Sequence, residues 1–560
     1  MKTLLQLLIL IVAMSANAQF LPVELSEKIE NSQYILEGEI INQYSYKTKS
    51  SIYTDYTFRV FSILKGTQNT HEDIIIKAIG GTVGDQKLLV CPSDSYQVGQ
   101  NYILFLNKIT GQQNYKASYL GQSVISLNKR LSEVEVTNYK NNLGLLKSIS
   151  KNATNHRHSH NPHFQHKTNS SSSISITNIS PTSLNAGVGE TVTITGSGFG
   201  TTGPTSSIKV WTPFANNPSS IISHSAGYNY VSWSDTQIVF KVPSRAGTGQ
   251  IRVGSSSNFA TSSQTLTINT NIRDNANFVN SAIFPVHLPA LQNQGIEFVL
   301  NSNFTNADAI LRTKEALEQW QCETEIDFSL NETTTTSNTN NDSDGLSVLY
   351  FDSSMSSSVL GVTLTTLQAC SSTGRWYVKD VDLAMNGNTN FNFTLNPTTS
   401  SQIDFYSVML HELGHVRNLG HVLNGSQVMF PSIGSGVDKR TLDTNDILGG
   451  NLVQSDSNTN QVCSKPLMVN DPCPTNSISD FDFDTVSIFP NPTIDNISFN
   501  STIDLSNFNY TIFDITGKSI KKGTLKNNNT INLKNISQGV YFIKLSDQEN
   551  KHKMFKIIKK

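Results

Sequence analysis

The chain has few charged residues for its length and no excess of either sign. Asp, Glu, Lys and Arg make up 15% of its 560 residues, and the formal net charge is −2. Without a basic excess there is no electrostatic case for binding nucleic acid or an anionic membrane, so we expect neither partner. The sequence also lacks a G-x-S-x-G turn, which argues against a serine hydrolase.

Long apolar runs are also lacking, apart from a short one at the start. Lys2, the run Leu4–Met14 and the sequence Ala16-Asn17-Ala18 form the three regions of a secretory signal peptide at residues 1–18. The run is shorter than the about 18 residues that a membrane anchor needs, and no later run is long enough. We therefore expect a secreted or cell-surface protein with no integral membrane segment after signal removal.

Cysteine is scarce, and the odd number of cysteines leaves one without a partner. Five cysteines fit an oxidising compartment. We expect Cys322 to pair with Cys370 and Cys463 to pair with Cys473, although spacing leaves other pairings open. Cys91 is then the unpaired thiol.

Three histidines and a glutamate share one eleven-residue stretch, His411 to His421, which reads H-E-L-G-H-V-R-N-L-G-H. Histidines four apart lie on one face of a helix, so His411 and His415 can bind one metal ion. A continuous helix would carry His421 about 9 Å further along the axis, too far to share that ion. We therefore expect the chain to turn at Asn418 and Gly420, residue types that tolerate a positive φ.

This stretch and its flanks resemble the metzincin zinc peptidases, and within them the matrixins. The family pattern is H-E-x-x-H-x-x-G-x-x-H followed by a Met-turn, which Val428–Ser432 resembles, and Asn418 stands at the glycine position. Upstream, Ala316–Trp320 resembles the first helix of that fold, and Asp380–Asn386 resembles its substrate-side edge strand. The resemblance implies an α+β catalytic domain, which we place at residues 270–456.

The resemblance also implies the roles of individual residues. The chain would be a zinc-dependent endopeptidase that hydrolyses protein or peptide substrates with a metal-activated water. One catalytic Zn²⁺ would be held by His411, His415 and His421. Glu412 would act as the general base, and Met429 would form an apolar floor beneath the histidines.

Several alternatives remain open at this stage. The chain could instead be a different zinc hydrolase whose third ligand is a downstream glutamate, or a secreted binding or adhesion protein with an inactive peptidase fold. The resemblance to matrixins would imply a second, structural zinc bound by histidines upstream of the helix. Because no histidine lies between His287 and His411 here, we predict one zinc only. The oxygen atoms of Asp380, Asp382 and Asn386 suit Ca²⁺, but an exposed turn explains them equally well. Cys91 is either a buried free thiol or, as in matrixin zymogens, a cysteine that caps the zinc.

The rest of the chain reads as β-rich domains joined by polar linkers. Residues 19–145 alternate in short apolar runs and predict a small all-β domain, a candidate prodomain. Residues 146–172 form a His- and Ser-rich linker. Residues 173–269 resemble an immunoglobulin-like IPT/TIG domain, for which we expect a spacer or docking role. After a linker at 457–484, residues 485–560 resemble the C-terminal sorting domain of type IX secretion in Bacteroidetes-like bacteria, which implies the secretion machinery as a partner.

Overall fold

The structure is a computed structural model. It describes residues 23–127, 174–472 and 486–560, apart from gaps at 24, 50, 69–71, 92, 94–95, 120–121, 201–206, 212–220, 225–229, 255–257, 277–282, 337–343, 502–504, 507, 516, 527–528 and 547–551. The predicted signal peptide and the His-rich linker lie outside the described residues. The chain divides into two compact units, residues 1–473 and 474–560. Within the described residues, no helix is long and apolar enough to cross a membrane.

The first region of the larger unit is a closed β-sheet. Its elements are α1 (Leu25–Asn31), β1 (Tyr34–Lys47), β2 (Ile52–Lys65), β3 (Asp73–Ile79), β4 (Gly81–Val83), β5 (Gln86–Cys91), β6 (Asn101–Lys108), β7 (Tyr115–Ala117) and β8 (Val124–Leu127). The strand order is β1-β2-β3-β7-β6-β8, and β1 also pairs with β6, so the sheet closes into a barrel. Its core is apolar and includes Leu36, Phe58 and Leu104. Strands β4 and β5 leave this barrel and join a different sheet.

The second region is a sandwich of two sheets. Its strands are β9 (Ser175–Ser180), β10 (Ser183–Ala186), β11 (Thr191–Ser197), β12 (Ser207–Trp211), β13 (Ile221–His224), β14 (Tyr230–Trp233), β15 (Gln237–Lys241), β16 (Gly247–Gly254) and β17 (Phe259–Asn271). One sheet has the order β10-β17-β16-β12-β13 and the other β14-β15-β11-β9. Buried side chains from both sheets, such as Ile194 and Ile251, share one core, as strands with alternating burial require.

The third region carries the histidine-rich stretch. Its elements are β18 (Asp274–Ala276), β19 (Ile283–Pro285), β20 (Ile296–Asn301), α2 (Ala307–Thr324), β21 (Phe328–Thr335), β22 (Ser347–Asp352), β23 (Gly361–Ala369), β24 (Trp376–Asn386), β25 (Phe391–Asn392), β26 (Ile403–Asp404), α3 (Phe405–Val416) and α4 (Thr444–Thr459). The main sheet has the order β21-β20-β22-β24-β23-β5-β4. Two strands from the first region thus extend this sheet beyond β23. The prediction that Asp380–Asn386 forms an edge strand is wrong, because β24 pairs with β22 on one side and β23 on the other.

The two long helices of this region contact each other through a buried tryptophan. In α2, Ala309, Thr313, Ala316, Leu317 and Trp320 form the buried stripe expected of an amphipathic helix. The indole Nε1 of Trp320 donates a hydrogen bond to the Leu410 carbonyl of α3 over 3.0 Å. Because every residue of α3 is buried, this helix is fixed within the core, and its side chains have little freedom.

The observed disulfide differs from the predicted pairing. Cys370 is bonded to Cys463, with a Cα–Cα distance of 5.4 Å and a sequence separation of 93 residues. The predicted pairs of Cys322 with Cys370 and Cys463 with Cys473 are therefore wrong. The prediction paired cysteines that are close in sequence. In the structure the loop after α4 packs against the end of β23, which brings Cys463 to Cys370. Cys322 is also disulfide-bonded, and Cys473 lies outside the described residues.

The smaller unit is a separate β-structure with its own core. Its strands are β27 (Ser487–Phe489), β28 (Asn496–Asn500), β29 (Asn509–Asp514), β30 (Ser519–Thr524), β31 (Thr530–Asn532), β32 (Gly539–Ser546) and β33 (His552–Lys559). They form sheets of order β27-β28-β31 and β30-β29-β32-β33. Buried residues from both, such as Ile497 and Ile543, form one apolar core.

Candidate metal centre

Three buried histidines converge on one point. Helix α3 places His411 and His415 one turn apart, and the chain beyond the helix brings in His421. The Nε2 atom of His421 lies 3.2 Å from Nε2 of His411 and 3.0 Å from Nε2 of His415. The three residues that the sequence predicts as metal ligands are therefore close enough to share one ion.

Backbone carbonyls orient two of the three rings. His411 Nδ1 lies 2.7 Å from the Val428 carbonyl oxygen, and His415 Nδ1 lies 2.8 Å from that of Leu419. Because a carbonyl can only accept, each Nδ1 carries the proton and each Nε2 keeps a lone pair for a metal. Burial lowers the pKa of His411 to about 3 and also lowers the pKa values of His415 and His421 well below the usual value. The rings are therefore neutral, which is the form that binds metal ions.

The turn to His421 is made by Asn418. Helix α3 ends at Val416, and Asn418 has a φ of 59°, in the left-handed region that asparagine tolerates better than most residues. Gly420 was expected to share this role, but it does not have a positive φ. Its lack of a side chain is needed for another reason, because a Cβ there would lie 3.2 Å from the side chain of Asn271.

Glu412 lies on the strand side of the histidines. The Thr363 hydroxyl of β23 donates to Glu412 Oε2 over 2.6 Å. Glu412 Oε1 is buried and has no hydrogen-bond partner among the described residues. Burial raises the pKa of Glu412 to about 8, although the Thr363 hydrogen bond acts in the opposite direction. A buried carboxyl group with one oxygen hydrogen-bonded and the other without a hydrogen bond is suited to accept and release a proton at the second oxygen.

Met429 lies beneath the helix that carries the histidines. Its sulfur packs against Gly414, where there is no room for a side chain. Asp446 of α4 accepts hydrogen bonds from the backbone N–H groups of Val428 and Met429 over 2.8 and 3.3 Å. Since the Val428 carbonyl orients His411, the Met429 turn supports a histidine directly.

Cys91 is the main feature that sequence reasoning left undecided. It pairs with Thr363 in the antiparallel ladder between β5 and β23, so both side chains point to the same face of the sheet. Its Sγ lies 3.1 Å from Nε2 of His415 and 4.0 Å from Nε2 of His421. Metal sites need several His, Cys, Asp or Glu side chains whose ligand atoms lie close together. Among the described residues, one set meets this condition, formed by Cys91, His415 and His421. His411 is adjacent to this set through its contact with His421.

An arginine that sequence reasoning missed lies beside this thiol. Arg273 donates to the Thr365 hydroxyl of β23 over 3.2 Å and hydrogen-bonds to Cys91. Burial raises the pKa of Cys91 to about 12, and the guanidinium acts against this rise. No local motif marks Arg273, since it lies in the connection between two domains and more than 130 residues from the histidines.

The polar residues Asp380, Asp382 and Asn386 are buried in strand β24, so the alternative that they form an exposed turn is wrong. Two of them are hydrogen-bonded to the protein itself. Asp382 Oδ1 accepts from the backbone N–H of Val348 over 2.9 Å. The Asn386 amide donates to the carbonyls of Ser356 and Val359. A Ca²⁺ site at Asp380, Asp382 and Asn386 therefore stays a prediction.

Comparisons with known families match three parts of the chain. Residues 298–452 match the matrixin model, residues 175–268 the IPT/TIG domain, and residues 487–560 the secretion system C-terminal sorting domain. The prediction of a multidomain chain with matrixin-like, IPT/TIG and sorting domains is confirmed, and most of the chain's regular structure is β-strand. The chain thus contains one region similar to matrixins and a C-terminal region similar to the sorting domains of a secretion system.

Similarity to individual proteins is weak. No curated protein matches the chain. A protein of unknown function from Bacteroides thetaiotaomicron is 13% identical over 20% of this chain and 25% of its own, with a TM-score of 0.16. An auxiliary nutrient binding protein from the same species is 12% identical over 19% and 23%, with a TM-score of 0.14. SGBP-B from a xyloglucan utilization locus in Bacteroides uniformis is 12% identical over 43% and 52%, with a TM-score of 0.13. The chain thus spans about a quarter to a half of these proteins.

Proposed function

We propose that this chain is a secreted zinc-dependent endopeptidase, exported with a signal peptide and the C-terminal sorting domain. The observation that carries the proposal is the convergence of three neutral histidine nitrogens beside a buried glutamate. This arrangement matches the ligand and base set of a catalytic zinc site with one open position. His421 already lies with the other two histidines, so no downstream glutamate is needed as a third ligand.

The donor set fits Zn²⁺. Imidazole rings that donate Nδ1–H to a carbonyl and keep a lone pair on Nε2 are preferred zinc ligands. Glu412 Oε1 is buried and has no hydrogen-bond partner among the described residues, so it is available to a water molecule on the ion. His411, His415 and His421 would hold the ion. When bound, zinc would supply Lewis-acid chemistry, polarising the substrate carbonyl and lowering the pKa of water.

Glu412 would carry the proton during hydrolysis. Its carboxylate would take a proton from water as the oxygen attacks the peptide carbonyl carbon. It would then release that proton to the amine nitrogen as the C–N bond breaks. Thr363 keeps Oε2 in place, so that the proton is exchanged at Oε1.

The described arrangement corresponds to a closed form of this enzyme. Strand β5 covers the edge of β23 from Gln368 to Thr363, and an extended substrate would need that same edge for backbone pairing. Cys91 places its thiol at the histidines. We therefore assign Cys91 the capping role, in a latent enzyme that becomes active when β5 leaves.

Casein degradation tests the peptidase activity. We expect purified protein, after activation, to degrade casein, and we expect a chelator to abolish this and added Zn²⁺ to restore it. Glu412→Gln should bind zinc but lose activity, because it removes the base and keeps the ligands. Met429→Leu is the matched control and should keep most of the activity. Full zinc occupancy with no hydrolysis of any peptide library would favour the alternative, a secreted binding protein with an inactive peptidase fold.

Latency is tested by Cys91→Ser, whose hydroxyl is a much weaker zinc ligand than a thiolate. We expect this variant to degrade casein without prior proteolysis, and Ser93→Ala, just beyond the strand, to behave like the unaltered chain. Equal activity of the unaltered chain and Cys91→Ser before proteolysis would contradict the capping role and leave the peptidase assignment intact.

A further inference from the structure

The end of the IPT/TIG sandwich lies directly against the turn that carries His421. The carbonyl of Asn271, the last residue of β17, accepts from the backbone N–H of Gly420 over 2.7 Å. The Asn271 amide Nδ2 donates to the His421 carbonyl over 3.1 Å. The next two residues continue the contact: Ile272 forms a bridge with Leu419, and the N–H of Arg273 donates to the Asn418 carbonyl over 2.8 Å.

The sandwich holds the other side of Asn271. Its Nδ2 also donates to the Ala246 carbonyl over 3.1 Å, and its Oδ1 accepts from the Arg245 N–H over 3.2 Å. The backbone N–H of Ile272 donates to the Ala186 carbonyl in β10 over 2.9 Å. Asn271 is 1% exposed, so its amide joins two domains in a site without competing water.

His421 differs from the other two histidines in how it is held. His411 and His415 are fixed by helix α3, in which every residue is buried, and by carbonyls of their own domain. His421 follows a left-handed turn outside that helix. This turn is held by the hydrogen bonds that Asn271 and Arg273 form with it. The domain boundary predicted at residue 270 falls within β17, since Asn271 is the last residue of this sandwich strand. Asn271 and Arg273 also precede the matrixin match, which begins at residue 298. This support therefore comes from the end of the sandwich and the connection after it, and not from the matched region.

We infer that Asn271 is a positioning residue of the metal centre, and that the IPT/TIG sandwich completes the site by fixing the turn of His421. This inference rests on the proposed zinc function. It gives the sandwich a role other than that of a spacer. A site whose third ligand must be ordered by the ion itself binds that ion more weakly than a preorganised one.

Zinc affinity of the full chain tests the inference, measured by competition with a chromophoric chelator and by the visible spectrum of the Co²⁺ form. Asn271→Ala should raise the zinc dissociation constant about 10- to 100-fold and alter the Co²⁺ spectrum. Asn271→Asp keeps the size and the acceptor but loses both donated hydrogen bonds, and should show a similar loss. Asn269→Ala is the matched control on the same strand, because its side chain faces Ser183 on the exposed side.

A further variant guards against misfolding at Asn271. Gly420→Ala places a methyl group against the Asn271 side chain from the catalytic side and should also weaken zinc binding. Unchanged affinity and unchanged Co²⁺ spectra in Asn271→Asp and Gly420→Ala would overturn the inference. Absence of zinc binding by the unaltered chain would instead overturn the proposed function, so the two failures are distinguishable.

Discussion

The two units of the molecule build their cores in different ways. In the larger unit, Leu88 and Val90 of β5 share a core with Val348 of β22 and Val362 of β23. The side-chain amide of Gln86 donates a hydrogen bond to that of Gln368 across 282 residues. In the smaller unit, every residue of the core lies between Val486 and Ile557. The core of the region that carries the three histidines therefore depends on segments that precede it, whereas the core of the C-terminal unit is formed by residues of that unit.

Long-range links should therefore dominate the stability of the larger unit, and the strongest test is removal of the Cys370–Cys463 disulfide. It closes a loop of 93 residues, and a cross-link of that length stabilises by about 4–5 kcal/mol through loss of chain entropy in the unfolded state. We expect the double change to alanine to lower the unfolding free energy by about that amount in urea. All four tryptophans lie in the larger unit, so their fluorescence reports on that unit alone. A loss below about 1 kcal/mol would mean that this unit is not held by long-range links.

A second test concerns the buried ion pair at the start of α3. Asp404 caps the helix by accepting from the Ser407 N–H over 2.9 Å, and Arg440 Nε donates to its carboxylate over 3.0 Å. Asp404→Ala removes the cap and leaves the Arg440 guanidinium without this partner, which should cost about 3–4 kcal/mol. Asp404→Asn keeps an acceptor for the cap and should cost less. Unfolding in urea, followed by tryptophan fluorescence, measures both losses. Equal losses in the two variants would show that the cap contributes nothing and that the charge paired with Arg440 accounts for the whole effect.

The sequence predicts the local parts of the site and not the long-range ones. The spacing of His411 and His415 predicts one helix face, and Asn418 has the residue type that its φ of 59° favours. By contrast, Gln86–Cys91 is an alternating strand that could join any sheet, and its pairing with β23 depends on a partner far along the chain.

The same limit explains the other residues that sequence reasoning missed. Asn271 is one polar residue among many in a chain rich in asparagine, and its hydrogen bond to His421 spans 150 residues. The pairing of Cys370 with Cys463 likewise follows from the docking of the loop after α4 rather than from cysteine spacing. Local patterns carry conformational preference, but long-range pairings are decided by packing that no single segment encodes.

The independence of the smaller unit predicts a complementary result. Ile543 of β32 is fully buried in that unit. Ile543→Ala removes three buried carbon atoms and should destabilise the smaller unit by about 3 kcal/mol. Far-UV circular dichroism should show this loss, whereas the tryptophan transition of the larger unit should not move. A shift of the tryptophan midpoint would contradict the separation into two independent units.

The smallest effect is expected where a local contact in the larger unit is removed. Asn306 caps α2, and its Oδ1 accepts from the Ala309 N–H over 3.0 Å. Asn306→Ala leaves one N–H of the first turn without its side-chain partner and should cost about 1 kcal/mol, whereas Asn306→Asp should cost little, since its carboxylate keeps the acceptor and favours the helix N-terminus. The measurement is the urea midpoint followed by tryptophan fluorescence, in which Trp320 of the same helix contributes. Because α2 is held mainly by its buried stripe and by the Trp320 hydrogen bond to α3, fraying of its first turn leaves those contacts in place. A loss as large as that from the disulfide would mean that local and long-range contacts stabilise the larger unit equally, and the contrast between the two units would then rest on topology alone.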